Sequence, residues 1–141
     1  MVLLASDHAG FELKENIKRF LKEKGIDFQD LGTNSTESTD YPIYAKKMAE
    51  LMKDDEYKGI LICGTGIGMS IAINRFSHIR GALCKDNNAV ELSRKHNNSN
   101  VLILAGRDDY AKENYQSMVN IFLTTEFEGG RHQGRLDMLN N

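Results

Sequence analysis

Short apolar runs of strand length recur along the chain, each separated from the next by a stretch whose apolar residues fall on one face of a helix. Few folds satisfy that alternation: it marks a mostly parallel sheet with helices packed on its faces. The strands expected are residues 2 to 6, 26 to 31, 59 to 63, 80 to 84 and 100 to 104. Between the first two, Leu13, Ile17, Phe20 and Leu21 lie at helical spacing, and Gly25 supplies a stop. A second helix should start near Asp40, with Pro42 in its first turn where a missing N–H costs nothing, and run to about Lys53. A third should cover Ile67 to Phe76, a fourth should be capped by Asp86 and reach His96, and a fifth is striped by Ala111, Tyr115, Met118, Val119 and Phe122. The expectation is therefore one α/β domain over residues 1–141, a doubly wound sheet of five parallel strands in flavodoxin-type order, because 141 residues bury one core and not two.

Two segments stand outside this rhythm. Residues 32 to 39 are polar and turn-like and read as a surface loop. Residues 126 to 135 carry the Gly129-Gly130 break and two arginines, and read as a frayed tail or as a C-terminal arm reaching a partner subunit.

Eighteen Lys and Arg against twenty Asp and Glu give a formal charge of -2, so no global basic footprint invites nucleic acid or an anionic membrane. Met1 to Ala5 is too short an apolar start, and lacks the basic leader, for a targeting segment, and no run approaches the ~20 apolar residues of a membrane span. A cytoplasmic protein is expected, with Cys63 and Cys84 as free thiols and no metal-type spacing around either.

In a doubly wound sheet, ligands bind outside the carboxyl ends of the strands, so the loops after strands one and three matter most. They hold Asp7-His8-Ala9-Gly10 and Cys63-Gly64-Thr65-Gly66-Ile67-Gly68, each opening onto a helix N-terminus that can offer N–H groups to an anion. The glycine loop lacks the Gly-Lys-Ser/Thr of a Walker A sequence, and Met69 stands where a dinucleotide fingerprint needs its third glycine, so no nucleotide cofactor is expected. What remains is a thiol followed at once by a small-residue turn. That arrangement suits proton abstraction beside a carbonyl, with Cys63 as base and the loop amides holding an enediolate oxygen. Bland readings stand beside this one: a strand-end cysteine is commonly a small hydrophobe, as Cys84 also would be, Asp7 can be a helix cap, His8 a surface histidine, and Arg131 and Arg135 solvated.

Taken together, Asp7-His8-Ala9-Gly10, Thr39-Asp40-Tyr41-Pro42, the run from Gly59 through Cys63 to Gly68, Ser93-Arg94-Lys95-His96-Asn97 and Glu128-Gly129-Gly130-Arg131-His132-Gln133 resemble the type B ribose-5-phosphate isomerases, in order and across the whole chain. That family shares a Rossmann-like fold and a dimeric unit with galactose-6-phosphate isomerase subunits and allose-6-phosphate isomerases. The resemblance implies an aldose-ketose isomerase of phosphorylated sugars with no cofactor and no metal. It makes Cys63 the base shuttling a proton between C2 and C1, and His96 the acid that opens the furanose ring. Asp7, His8, Gly64, Thr65, Gly66, Ile67, Gly68 and Asn97 would line the sugar site with Tyr41 at its flank, and Arg107, Arg131 and Arg135 would meet the phosphate. Some members carry a glutamate base farther along the loop; here Gly68-Met69-Ser70 offers no carboxylate, so abstraction falls to Cys63. Thr65 could relay a proton between the two oxygens or simply cap the next helix.

Independently of the family, a helix from Asp86 to Lys95 runs back along the sheet and leaves His96-Asn97 near the amino edge, ~17 Å from the carboxyl edge where Cys63 lies. His96 is therefore expected to act across a two-fold interface, giving a homodimer, with a tetramer also open, that shares its active sites. Two rivals remain at this stage. One is isomerisation of allose or galactose 6-phosphate; the other is a phosphate-binding, receiver-like domain, which would want an acidic cluster at the first strand and a Lys after the fifth, where this chain has a single Asp7 and Ala105-Gly106-Arg107.

Overall fold

The structure, a computed structural model, describes residues 1–140. In chain order the elements are β1 (Val2–Ser6), a short turn of helix (His8–Gly10), α1 (Phe11–Glu23), β2 (Phe28–Asp30), α2 (Tyr41–Leu51), β3 (Lys58–Cys63), α3 (Ile67–Ile73), β4 (Gly81–Leu83), α4 (Asn87–Asn97), β5 (Val101–Ala105), α5 (Asp109–Thr124) and α6 (Arg131–Asp137). All five expected strands form and every pairing is parallel. α1 ends where Gly25 takes a positive φ of 69°, a conformation an L side chain resists. α3 stops short of its expected end because Asn74 turns back, its amide bonding the Ser70 and Gly81 carbonyls and its oxygen accepting from the Gly81 N–H. Asp86 caps α4 as expected, accepting from the Ala89 N–H at 2.8 Å.

The strand order is β2-β1-β3-β5-β4, which departs from the flavodoxin-type order 2-1-3-4-5 by exchanging the last two strands. Burial accounts for the exchange. β5 is five consecutive buried apolar residues and takes the inner position covered on both faces, while β4 has three half-buried residues and takes an edge.

Side chains alternate across the sheet. Leu4, Ile60, Ile62, Leu102 and Leu104 pack under α1, α4 and α5; Leu3, Ala5, Leu61, Cys63 and Ile103 pack under α2 and α3. At the far edge, the fully buried Lys14 of α1 holds Asp30 of β2 at 2.7 Å, Lys18 adds a second contact at 2.8 Å, and Asp30 accepts from the Gly32 N–H. Burial by itself would raise the Asp30 carboxyl, but the hydrogen bonds from Lys14, Lys18 and Gly32, with the Lys14 charge, hold it below the usual carboxylate range.

The C-terminal arm is folded. After α5 the chain turns at Gly129 and Gly130, forms α6 and docks on α4, where the Glu128 N–H donates to the Lys95 carbonyl at 3.1 Å. Arg94, buried on α4, secures the junction: its Nε donates to the Thr125 carbonyl, and its Nη1 to the Ser99 carbonyl and Asn98 Oδ1. Among the described residues no helix is long and apolar enough to cross a membrane.

Candidate active site

The expected site residues gather into two groups at opposite edges of the sheet. Asp7, His8, Tyr41, Cys63, Gly64, Thr65, Gly66, Ile67, Gly68 and Arg107 lie at the carboxyl edge. His96, Asn97, Arg131 and Arg135 lie at the amino edge, on α4 and on the α6 that packs against it.

At the carboxyl edge, β1 and β3 end side by side, the Asp7 N–H donating to the Ile62 carbonyl. Asp7 does what a cap does: its Oδ1 accepts from the Ala9 and Gly10 N–H groups, while its Oδ2 accepts nothing from the described residues. Past Cys63 the chain turns sharply, with Gly66 at φ 78° before α3 begins. Thr65 Oγ1 accepts from the Ile67 N–H at 3.3 Å, closing a turn at the entry to α3, whose N-cap is Gly66. Among the described residues, none accepts a hydrogen bond from the N–H groups of Gly64, Thr65 or Gly66. Arg107 folds across this loop: its N–H donates to the Gly64 carbonyl, and a Cβ on Gly64 would lie 3.1 Å from the guanidinium carbon. On the loop's other side, the Tyr41 ring lies against Gly68.

A cleft of about 400 Å³ opens beside this loop, lined by His8, Glu12, Asn16, Thr36, Arg107 and Lys112 among others. The 32–39 segment, read from sequence as a plain surface loop, forms one wall of it. Thr39 clamps His8, its N–H 3.1 Å and its carbonyl 3.2 Å from Nδ1. When Nδ1 accepts from that N–H, the proton resides on Nε2. Tyr44, which sequence reasoning passed over, anchors the same loop by a 3.0 Å contact with Thr39 Oγ1. Hydrogen bonds with Thr33 and Thr39 pull its phenol below the usual range. A larger and more open groove, lined by Ala49, Glu50, Lys53, Phe76 and His78, lies under α2.

The two cysteines, indistinguishable by strand position, differ in their surroundings. Cys84 faces the α1/α5 core, its Sγ directed to the Ala82 carbonyl, and burial pushes its thiol up to about 11. Cys63 faces the other side of the sheet, 5% exposed, in the apolar cluster under α2 and α3, and the glycine loop follows it in the chain. It does not line the cleft.

At the amino edge, His96 is half-exposed, and the buried His132 of α6 stacks on it with ring centroids 4.3 Å apart and planes 17° from parallel. Glu128 Oε1 lies 3.6 Å from His132 Nε2 and 3.9 Å from His96 Nε2. Sequence spacing suggested no metal set, yet these three bring one ligand atom each within 4.8 Å of one another. The two rings lie nearly parallel and do not converge on one point.

Residues 2–139 match the family described as Ribose/Galactose Isomerase. The chain belongs to the ribose/galactose isomerase family. It is 42% identical over 139 residues to the ribose-5-phosphate isomerase B of Escherichia coli, covering 98% of this chain and 93% of that one. The crystal structure of a ribose 5-phosphate isomerase from Thermotoga maritima superimposes with a TM-score of 0.91 at 50% identity, over 96% of this chain and 94% of that one. The ribose-5-phosphate isomerase B of Mycoplasma genitalium, solved with bound ribulose-5-phosphate, gives 0.89 at 41% identity, over 96% and 91%. As a ribose/galactose isomerase the protein is an aldose-ketose isomerase, and the receiver-like reading falls away. Such an enzyme requires a base, an acid and fixed dipoles for developing charge. One chain carries the thiol and the amides at one edge and the imidazole at the other.

Proposed function

We propose that the protein interconverts ribose 5-phosphate and ribulose 5-phosphate through an enediolate, in composite sites shared across a two-fold dimer. The observation that carries this reading is the glycine loop joining Cys63 to the Arg107 guanidinium, which sets a candidate base and a phosphate ligand at one edge. The Escherichia coli and Thermotoga maritima relatives, matched over 98% and 96% of this chain, are ribose-5-phosphate isomerases by name.

Cys63 takes the C2 proton of the open aldose and returns it to C1. The free N–H groups of Gly64, Thr65 and Gly66 hold the oxygen on which charge develops. Asp7 Oδ2 and the partner's Asn97 bind sugar hydroxyls. His8, donating from Nε2 when Thr39 occupies Nδ1, joins Arg107 and the partner's arginines at 131 and 135 on the phosphate. Before that, His96 of the partner subunit gives its proton to the ring oxygen as the C1–O4 bond breaks, and the C1 hydroxyl proton leaves to water. Thr65 can pass a proton between O1 and O2 while its Oγ1 accepts from the Ile67 N–H.

A two-fold pairing supports this because it brings each group to its complement twice. Apolar side chains are exposed near both groups: Tyr41, Ile43, Ile67 and Ile71 on α2 and α3, and Met138 and Leu139 after α6. The experiment is a panel of pentose 5-phosphates and hexose 6-phosphates assayed by ketose formation. Ribose 5-phosphate should give the highest kcat/KM; a higher value for allose or galactose 6-phosphate would replace this assignment.

A further inference from the structure

We propose that His132 is a positioning residue for ring opening, its buried imidazole face supporting the protonated imidazole of His96. The inference rests on the reading of His96 as the ring-opening acid. Of the two stacked rings, His132 is the inner, buried one and His96 the outer, accessible one, so a substrate can meet His96 alone. The stack is built into one chain: Glu128 bonds the Lys95 backbone and α6 then returns His132 over His96. Wherever His96 is presented, His132 travels with it.

Burial and neighbouring charge disfavour a proton on the inner ring. Burial, then the neighbouring His96 and Arg131, hold His132 below the usual imidazole range, with Arg135 adding to this and Glu128 opposing it. Lys95 of α4 is the remaining nearby cation, drawn toward Glu91 and Glu128. A neutral His132 offers an aromatic face to a cation, and an imidazolium stacked on it gains a cation–π attraction that a second imidazolium would abolish. Glu128, too distant for a hydrogen bond to either ring, favours that single positive charge through space. The inner ring is therefore the neutral face on which His96 stacks.

Substrate chemistry supplies a test that separates this from mere stability. Ribose 5-phosphate closes to a furanose and must be opened. Ribulose 5-phosphate, with its C5 oxygen esterified, has no ring to open. Deuterium incorporation from D2O at C1 of ribulose 5-phosphate accordingly needs the base at Cys63 and not the acid. In the intact dimer, His132→Gln should lower kcat for ribose 5-phosphate about tenfold and shift the alkaline limb of its pH profile about one unit lower, while C1 exchange changes by less than about twofold. His132→Phe, which retains an aromatic face, should recover most of both losses. Exchange falling in step with turnover, an unmoved pH limb, or Phe no better than Gln would each overturn the assignment. His96→Ala tests the underlying reading: full turnover there defeats the acid and this inference together, whereas lost turnover in His96→Ala beside an unaffected His132→Gln defeats the inference alone.

Discussion

Cys63 and His96 stand at opposite ends of one sheet. Cys63 pairs with Ala105, the last residue of β5, whereas His96 lies just ahead of Val101, the first. An isomerase that uses both must assemble them from two chains. The working enzyme is therefore expected at no less than twice the 15.9 kDa chain mass, with specific activity that falls as the protein is diluted into monomers. Sedimentation alongside an activity titration checks this, and a fully active monomer would refute it.

The thiol prediction follows from which face of the sheet each cysteine occupies. Cys63→Ser should fold and lose about 10³ in kcat, the scale of general acid–base catalysis. Cys84→Ser, on the far side among α1 and α5, should keep wild-type turnover with a modest loss of stability. Equal effects of the two substitutions on kcat would leave Cys63 a packing residue.

Arg107 lies across Gly64 beside the cleft, in position to meet a phosphate. A charge-assisted hydrogen bond contributes about 1.5–3 kcal/mol, so Arg107→Ala should raise KM for the sugar phosphate roughly ten- to a hundredfold. Its melting temperature should barely move, since the side chain is exposed. Arg135→Ala should do the same more weakly, and unchanged KM in both variants would place the phosphate elsewhere.

The fold was legible where it depended on local pattern. Strand and helix positions follow from periodicity, the Asp86 cap and the Gly25 stop, all short-range signals. The place of β5 inside β4 was not, because it turns on the relative burial of two strands competing for one position. Half of the candidate site was readable as strand-end loops, including Cys63 and Asp7. The Thr39 clamp on His8 and the His132 stack on His96 join residues 31 and 36 positions apart, and only packing brings them together. A Glu and a His four residues apart, flanking Gly129-Gly130, were the one local trace of the latter.

The Lys14–Asp30 pair predicts an acid limb of stability. The Asp30 carboxyl is lower in the fold than its ordinary value of 3.8, so the stability it contributes is complete above that value. It is lost as pH falls from there through the folded value. Asp30→Ala leaves Lys14 buried without its partner and should cost about 3 kcal/mol at neutral pH, flattening the acid limb. Adding Lys14→Met should recover part of that cost. Denaturant titrations from pH 2 to 7 test both, and an acid limb unchanged in Asp30→Ala would assign it to other carboxylates.

Subunit complementation bears most directly on the shared site. Chains carrying Cys63→Ala and chains carrying His96→Ala are each inactive as homodimers; refolded together in equal amounts, half the dimers are mixed, and each mixed dimer has one intact site of two. Recovery of about a quarter of wild-type turnover is the predicted result. A mixture no more active than its two components, with mixed dimers shown to have formed, would contradict the account.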